Sequence, residues 1–471
     1  MTTTPASELE NRGLASLLGD AAARAARYRD AAGDAPVFPG ARAPEELREK
    51  LGTLRDEPAA PETAIAELAD AVEPALVSST GPRYFGFVIG GSLDSATAAD
   101  VLAAGWDQNA FNTLTSPAAA VVEEVAGEWL KDVLGLPPEA SFAFTTGGQA
   151  SNTVCLAAAR HQVLADAGWD AERDGLTGAP RIRVVASAAR HATIDRSLRL
   201  LGLGAGSVEP VPARVSGAID THGLARVLAD GPAGPVIVCL QAGEVNTGAF
   251  DDFPAAIEAA RQHSAWVHVD GAFGLWAAAS PATRHLTAGV AAADSWATDG
   301  HKWLNVPYDS GYAFCARPAA HKAAMSFTAA YLGDASETLR SPGDWGLESS
   351  RRARGFATWA ALRELGRSGV AELVERCCAH ARRFAELLSA ADGVQVAGDV
   401  VLNQVLVRFG DSDDMTQRVI AAVQGSGVCW MGGTTWRGMR MMRISVSSWR
   451  TTSADVDRSV AAILAVLRAA G

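Results

Sequence analysis

Short apolar runs bounded by turn-forming residues recur through the middle of the chain. The runs 183–187, 236–240, 266–270, 295–298 and 311–315 read as strands. Between them lie stretches with helical spacing, such as 254–263. Strand, helix, strand in repetition over residues 81–320 predicts a largely parallel, doubly wound sheet. The first 80 residues read as helical and lack strand runs. Residues 64–72 carry apolar positions at helical spacing, and Arg42-Ala43-Pro44-Glu45-Glu46 has the proline and acids of a helix start. This segment is poor in long apolar runs and is expected to pack on another subunit. A long helix over 356–391 leads to a smaller α/β unit, with strands at 401–409 and 441–446 and a last helix from about 454. Three units follow: 1–80 helical, 81–360 the large domain, and 361–471 the small C-terminal domain. Residues 333–344, rich in Gly, Asp, Ser and Pro, predict a mobile loop.

Composition narrows the class. In 471 residues, 48% are hydrophobic and 20% charged, which is ordinary globular usage and excludes disordered and coiled-coil readings. Acidic residues outnumber basic ones, 53 to 41, for a net charge of −12. That argues against nucleic acid or an anionic membrane as the main partner. The N-terminus shows no basic and apolar secretory pattern, and no apolar run reaches the roughly 18 residues of a membrane span. The six cysteines, with no C-x-x-C pair, read as buried thiols of a reducing cytosol and predict no structural zinc.

Three short segments carry candidate chemistry. Thr145-Thr146-Gly147-Gly148-Gln149-Ala150-Ser151-Asn152 follows an apolar run and opens a helix. Two glycines and the free N–H groups of a helix start suit an anion, although a Gly-Gly turn alone is an ordinary connection. Asp270 ends the strand of His268-Val269-Asp270-Gly271-Ala272, where α/β proteins place ligand sites; taken singly it reads as a turn carboxylate. Lys302 follows the next strand, in Asp299-Gly300-His301-Lys302-Trp303. A lysine beside tryptophan can lose its charge, as Schiff-base chemistry requires, or can simply snorkel over aromatic surface. Together, a phosphate cradle, a strand-end aspartate and a lysine are what pyridoxal 5′-phosphate needs. His191, after another strand, is placed by the same topology to stack on its ring.

With these segments the chain resembles the group II pyridoxal-phosphate amino-acid decarboxylases, which include aromatic-amino-acid and glutamate decarboxylases. The resemblance runs from about Arg83 to the C-terminus. It implies an aspartate-aminotransferase-like fold (fold type I) and a homodimer with the active site at its interface. It makes Lys302 the Schiff-base lysine, Asp270 the pyridine partner and His191 the stacking residue, with Ala272 under the ring and His301 beside the lysine. Gly148 and Gln149 match the phosphate turn. Val88, Ile89 and Phe111 match segments lining the substrate pocket, and Ser116 with Glu123 is also familial. Ser350 is expected to reach the partner's phosphate. Arg443 is either a substrate-carboxylate ligand or a surface ion pair.

The chain departs from the family pattern in three places. Gly243-Glu244-Val245 replaces the usual Gly-Thr-Thr, leaving Asn246 and Thr247 as substitutes for the lost hydroxyl. Asp299 stands where some relatives have asparagine, adding an anion near the phosphate, with Thr298 as a neutral donor there. The loop tyrosine that protonates Cα in such decarboxylases is replaced by Ser341-Pro342-Gly343, and Tyr331 is the only tyrosine of 327–345. The implied reaction is loss of the α-carboxylate of an L-amino acid. Without that tyrosine, oxidation by dioxygen to an aldehyde, ammonia and peroxide competes with amine formation, unless His191 or Tyr331 supplies the proton. Transamination, β-elimination and a cofactor-binding pseudoenzyme are the other readings. The apolar pocket residues favour an apolar or aromatic substrate.

Overall fold

The computed structural model describes residues 13–327 and 340–470. Its large sheet has seven strands: β1 (Ser141–Thr145), β2 (Arg183–Ser187), β3 (Val208–Val211), β4 (Val236–Gln241), β5 (Trp266–Asp270), β6 (Ser295–Asp299) and β7 (Gly311–Cys315). The order is β1-β7-β6-β5-β4-β2-β3. β3, β2, β4, β5 and β6 run parallel, and only β7 is antiparallel to both of its neighbours. The five strands expected from the apolar runs are all present. β1 and β3 were not separately anticipated: β1 was read only as a run before the Gly-Gly turn, and β3 is a half-buried edge strand.

The central strands are buried on both faces, which is why they read as continuous apolar runs rather than alternating ones. Val185, Val238 and Leu240 face one core cluster, while Val184, Ala186, Ile237 and Cys239 face a second on the opposite side. Helix Gly148–Asp166 packs across β4, β5, β6 and β7. Its long run of buried small residues, Val154–Ala159, lets it lie close to the sheet.

A second, antiparallel sheet has the order β10-β11-β9-β8, from β8 (Val394–Val396), β9 (Gln404–Phe409), β10 (Gly432–Trp436) and β11 (Met439–Ser445). Helix Gly355–Ser389 connects the two sheets and is interrupted at Gly366, whose φ of 59° breaks the helical path near the expected 360/361 boundary. One continuous core nevertheless spans both units, from Phe142 and Trp296 to Val407 and Ile463. The N-terminal segment forms helices Leu14–Ala31, Ala43–Leu51 and Pro61–Val72, with Ala71 their only buried residue. Leu14, Leu51, Leu54 and Leu68 remain exposed apolar side chains. No helix of the described residues is long and apolar enough to cross a membrane. All six cysteines are buried and unpaired.

Candidate active site

The carboxyl ends of β1, β2, β4, β5 and β6 converge, and the crevice beyond them is where open α/β sheets bind ligands. A cleft lies there. Its walls include Gly148, Gln149, His191, Asp270, Ala272 and Lys302, so the topology brings together all three chemical segments.

Asp270 is buried at the end of β5. It accepts from Asn152 Nδ2 at 3.1 Å, Thr193 Oγ1 at 3.4 Å and the Ala272 N–H at 3.2 Å. These are neutral donors, so the carboxylate's charge is solvated but not balanced. Behind it, Asn152 Oδ1 lies 2.9 Å from His268 Nε2, and His268 Nδ1 lies 3.0 Å from Ser295 Oγ. Burial pushes the His268 pKa down to about 4, against the pull of Asp270. A neutral His268 that donates from Nε2 turns the Asn152 amide so that its N–H₂ faces Asp270. Asn152 and Thr193 are cleft residues that the sequence reading did not single out. Asn152 lies four residues beyond Gly148, on the same helix face, and that spacing was the available signal.

His191 caps helix Ala192–Leu200. Its Nδ1 accepts from the Thr193 N–H at 3.3 Å and meets Thr193 Oγ1 at 2.8 Å, leaving Nε2 to carry the proton. Desolvation in the cleft, with the charges of Lys302 and Arg443, holds its pKa below the usual imidazole value, opposed by Asp270 and Asp299.

Lys302 sits on a single wide π-type turn, Gly300–Leu304, a feature common at functional sites. Gly300 is required there, because a Cβ would collide with the Tyr312 hydroxyl. The turn separates neighbours: Trp303 is buried in the main core, while Lys302 Nζ pairs with Asp299 Oδ2 at 3.0 Å. The tryptophan therefore does not set the lysine's environment, as its adjacency in sequence suggested; Asp299 does. Asp299 also accepts from the Gly148 N–H and lies 3.4 Å from His301 Nε2. The His301 ring packs tilted against Tyr308 with ring centroids 4.4 Å apart.

Other sequence candidates lie outside the cleft walls. The Thr298 hydroxyl donates to Gly271 O at 2.8 Å and is fully buried. Asn246 and Thr247 are engaged with the Glu244 carboxylate. Val88 is buried in the main core, and the nearby Gly90 backbone presses on the Lys302 carbonyl. Ile89 is half-buried beside it. Phe111 stacks on Phe327 at 6.1 Å, and its carbonyl accepts from the Gly343 N–H at 2.7 Å. Ser350 is exposed and contacts Asn109 Nδ2 at 3.3 Å. Ser116 is a helix N-cap, and Glu123 pairs with Arg351 at 2.8 Å in a buried ion pair. Arg443, on β11 opposite Gly432, has no ion pair or hydrogen bond to its guanidinium among the described residues; burial lowers its pKa and Glu244 raises it.

Tyr331 and residues 333–339 of the expected mobile loop lie outside the described residues. The described end of that segment, Pro342–Asp344, is a 3-10 turn with Pro342 and Gly343 buried. A Cβ on Gly343 would enter the Phe111 ring, so no tyrosine fits at that position without displacing Phe111.

Comparison with known proteins identifies the family. Residues 44–409 match the pyridoxal-dependent decarboxylase conserved domain. Among curated proteins, tryptophan decarboxylase 1 of Oryza sativa subsp. japonica is 28% identical over 452 residues, covering 88% of this chain and 85% of its own length. The 4-hydroxyphenylacetaldehyde synthase of Rhodiola rosea is 24% identical, covering 84% and 83%. Among solved structures, that of Oryza sativa TDC with PLP and tryptamine superposes with a TM-score of 0.89 at 24% identity, covering 99% of each chain. The chain therefore belongs to the pyridoxal-dependent decarboxylase family. It is an enzyme of fold type I whose cofactor is pyridoxal 5′-phosphate.

Proposed function

We propose that this enzyme removes the α-carboxylate of an apolar or aromatic L-amino acid, using the cleft at Lys302 as its active site. One observation carries the reading: Asp270, a buried carboxylate with no ion pair among the described residues, faces the same cleft as Lys302 and the Gly148 helix start. These residues fit the cofactor. Asp270 would hold the proton on its pyridine nitrogen, Lys302 would bind its aldehyde carbon, and Gly148 and Gln149 would face its phosphate. When bound, the cofactor supplies a sink for the electron pair left as carbon dioxide departs.

The remaining roles belong to the chain. Asn152 and His268 orient Asp270, and His191 walls the cleft and offers its Nε2 proton. Arg443, whose guanidinium has no partner among the described residues, binds a substrate carboxylate. An apolar groove of about 840 Å³, lined by Leu102, Trp106, Val122, Phe356 and Trp359, supports assembly as a homodimer. In that dimer Ser350 reaches the partner's phosphate, and Phe111 lines the substrate pocket. We place the enzyme in the cytosol, in keeping with its buried free thiols.

A second reading has a specific observation behind it. The segment matched to the loop tyrosine, Ser341-Pro342-Gly343, holds no tyrosine, and at Gly343 Phe111 fills the space a side chain would need. Relatives of this chain include phenylacetaldehyde synthases at 23–24% identity. Decarboxylation coupled to oxidation by dioxygen, yielding an aldehyde, ammonia and peroxide, is therefore the competing outcome. Incubation with the common amino acids, with carbon dioxide, amine, aldehyde and oxygen all measured, tests both. Keto acid without carbon dioxide would refute both.

A further inference from the structure

We propose that Asp299 is an internal competitor of the cofactor's phosphate, holding the cradle when the cofactor is absent and weakening the hold on it. The proposal rests on the cofactor reading above and concerns how tightly this chain binds that cofactor.

The anion cradle at the start of helix Gly148–Asp166 already faces an anion belonging to the protein. The Asp299 carboxylate accepts the Gly148 N–H through Oδ1. A Cβ on Gly148 would lie 2.8 Å from Asp299 Oδ2, so the two segments are in close contact. Oδ2 pairs with Lys302 Nζ at 3.0 Å, and His301 Nε2 lies 3.4 Å from Oδ1. The side chain is 2% exposed, so water screens it little. One carboxylate thus takes a backbone donor of the phosphate cradle and also supplies the charge partner of the Schiff-base lysine.

Loading competes for both supports. A phosphate at the helix start needs the Gly148 N–H, and bonding of Lys302 to the cofactor's aldehyde turns its Nζ from a free ammonium donor to Asp299 into the imine nitrogen of the cofactor. The carboxylate must then leave Gly148 and rely on His301 Nε2. That nitrogen carries the ring proton, because Nδ1 accepts from the Ser310 N–H at 3.2 Å. The other ionisable groups whose charge couples to Asp299 are His191 and the phenols of Tyr308 and Tyr312, which add no positive charge when neutral. Two anions beside one cradle in a poorly screened site repel. The asparagine that some relatives carry at this position would supply a donor instead. Holoenzyme content in this protein therefore follows the supply of phosphorylated cofactor more closely than it would with asparagine.

The test compares the wild-type protein with Asp299→Asn, both stripped of cofactor. Binding of pyridoxamine 5′-phosphate and of unphosphorylated pyridoxamine is measured by calorimetry; neither forms a Schiff base with Lys302. The ratio of the two dissociation constants isolates the phosphate. Asp299→Asn is expected to raise the preference for the phosphorylated form by at least about tenfold, mainly by tightening it. A ratio within threefold of wild type, or a lower one, overturns the proposal. A general packing effect would move both ligands together and leave the ratio unchanged. Borohydride trapping of pyridoxal phosphate by the wild type checks the underlying reading separately. Trapping without a change in ratio refutes only the role of Asp299; no trapping and no binding refute both. Should the variant fail to fold, crystal structures of the wild type with and without pyridoxamine 5′-phosphate decide. Asp299 must be off the Gly148 N–H when phosphate is bound, and a bond kept in both states overturns the proposal.

Discussion

Replacing Asn152 by leucine tests whether the chain behind Asp270 matters to catalysis. The substitution nearly keeps the side-chain volume but deletes three contacts: the 3.1 Å donation to Asp270 Oδ2, the 3.2 Å donation to Thr193 Oγ1 and the 2.9 Å contact with His268 Nε2. A hydrogen bond to a charged group contributes about 1.5–3 kcal/mol. Its loss shifts the proton balance between Asp270 and the cofactor's ring nitrogen by roughly 10- to 150-fold towards the carboxylate. The ring then accepts electrons less well, and kcat should fall by about one to two orders of magnitude. The orphaned His268 N–H costs a further ~1–3 kcal/mol of folding stability, a loss that bound cofactor only partly recovers. The assay combines steady-state kinetics with ¹⁵N NMR of labelled cofactor, whose ring-nitrogen signal should move towards the unprotonated position. Asp270 keeps the Ala272 N–H and Thr193 Oγ1, so cofactor should still bind. If kcat stays within threefold of wild type and the nitrogen signal does not move, the relay has no catalytic role.

Lys302→Ala should abolish both the visible absorbance of the bound cofactor and its trapping by borohydride; trapping at another residue would displace Lys302 from its role. Arg443→Gln should raise KM by roughly 10- to 100-fold with little change in melting temperature, since the guanidinium has no partner among the described residues to lose; an unchanged KM would remove Arg443 from substrate binding. If the oxidative outcome holds, oxygen uptake and peroxide will match carbon dioxide release mole for mole, whereas amine with no oxygen consumed would sink it. Stability should fall with acid because buried His268 and His321 stay neutral, their pKa values lowered to about 4 and about 3, while the unfolded chain takes up protons below about pH 6.5. The sign makes this stability fully present above pH 6.5 and lost as pH falls towards 4 and 3. Each histidine costs about 2 kcal/mol at pH 5, so His321→Asn should flatten the dependence of melting temperature on pH between 7 and 5; an unchanged slope would refute it.

Much of the large domain was legible from the chain alone. Strands buried on both faces must be nearly continuous in apolar residues, so the parallel β2, β4, β5 and β6 and the antiparallel β7 stood out. Ligand chemistry gathers at strand ends, so Asp270, His191 and Lys302 could be picked from the residues following those runs. β3, β8 and β10 were not anticipated, because half-buried edge strands lack a continuous run. What the order of residues cannot give is direction. Trp303 adjoins Lys302 in sequence yet points into the core, while Asp299, three residues earlier, supplies the lysine's partner. Asn152 becomes part of the site only because helix Gly148–Asp166 crosses beneath β5 and sets it between His268 and Asp270. Gly343 looks like an open loop position until Phe111, more than two hundred residues away in the chain, is seen to fill the space a side chain would need. Residue types at strand ends determined the cofactor; which groups face one another across the cleft was decided by helix and turn geometry that only tertiary packing fixes.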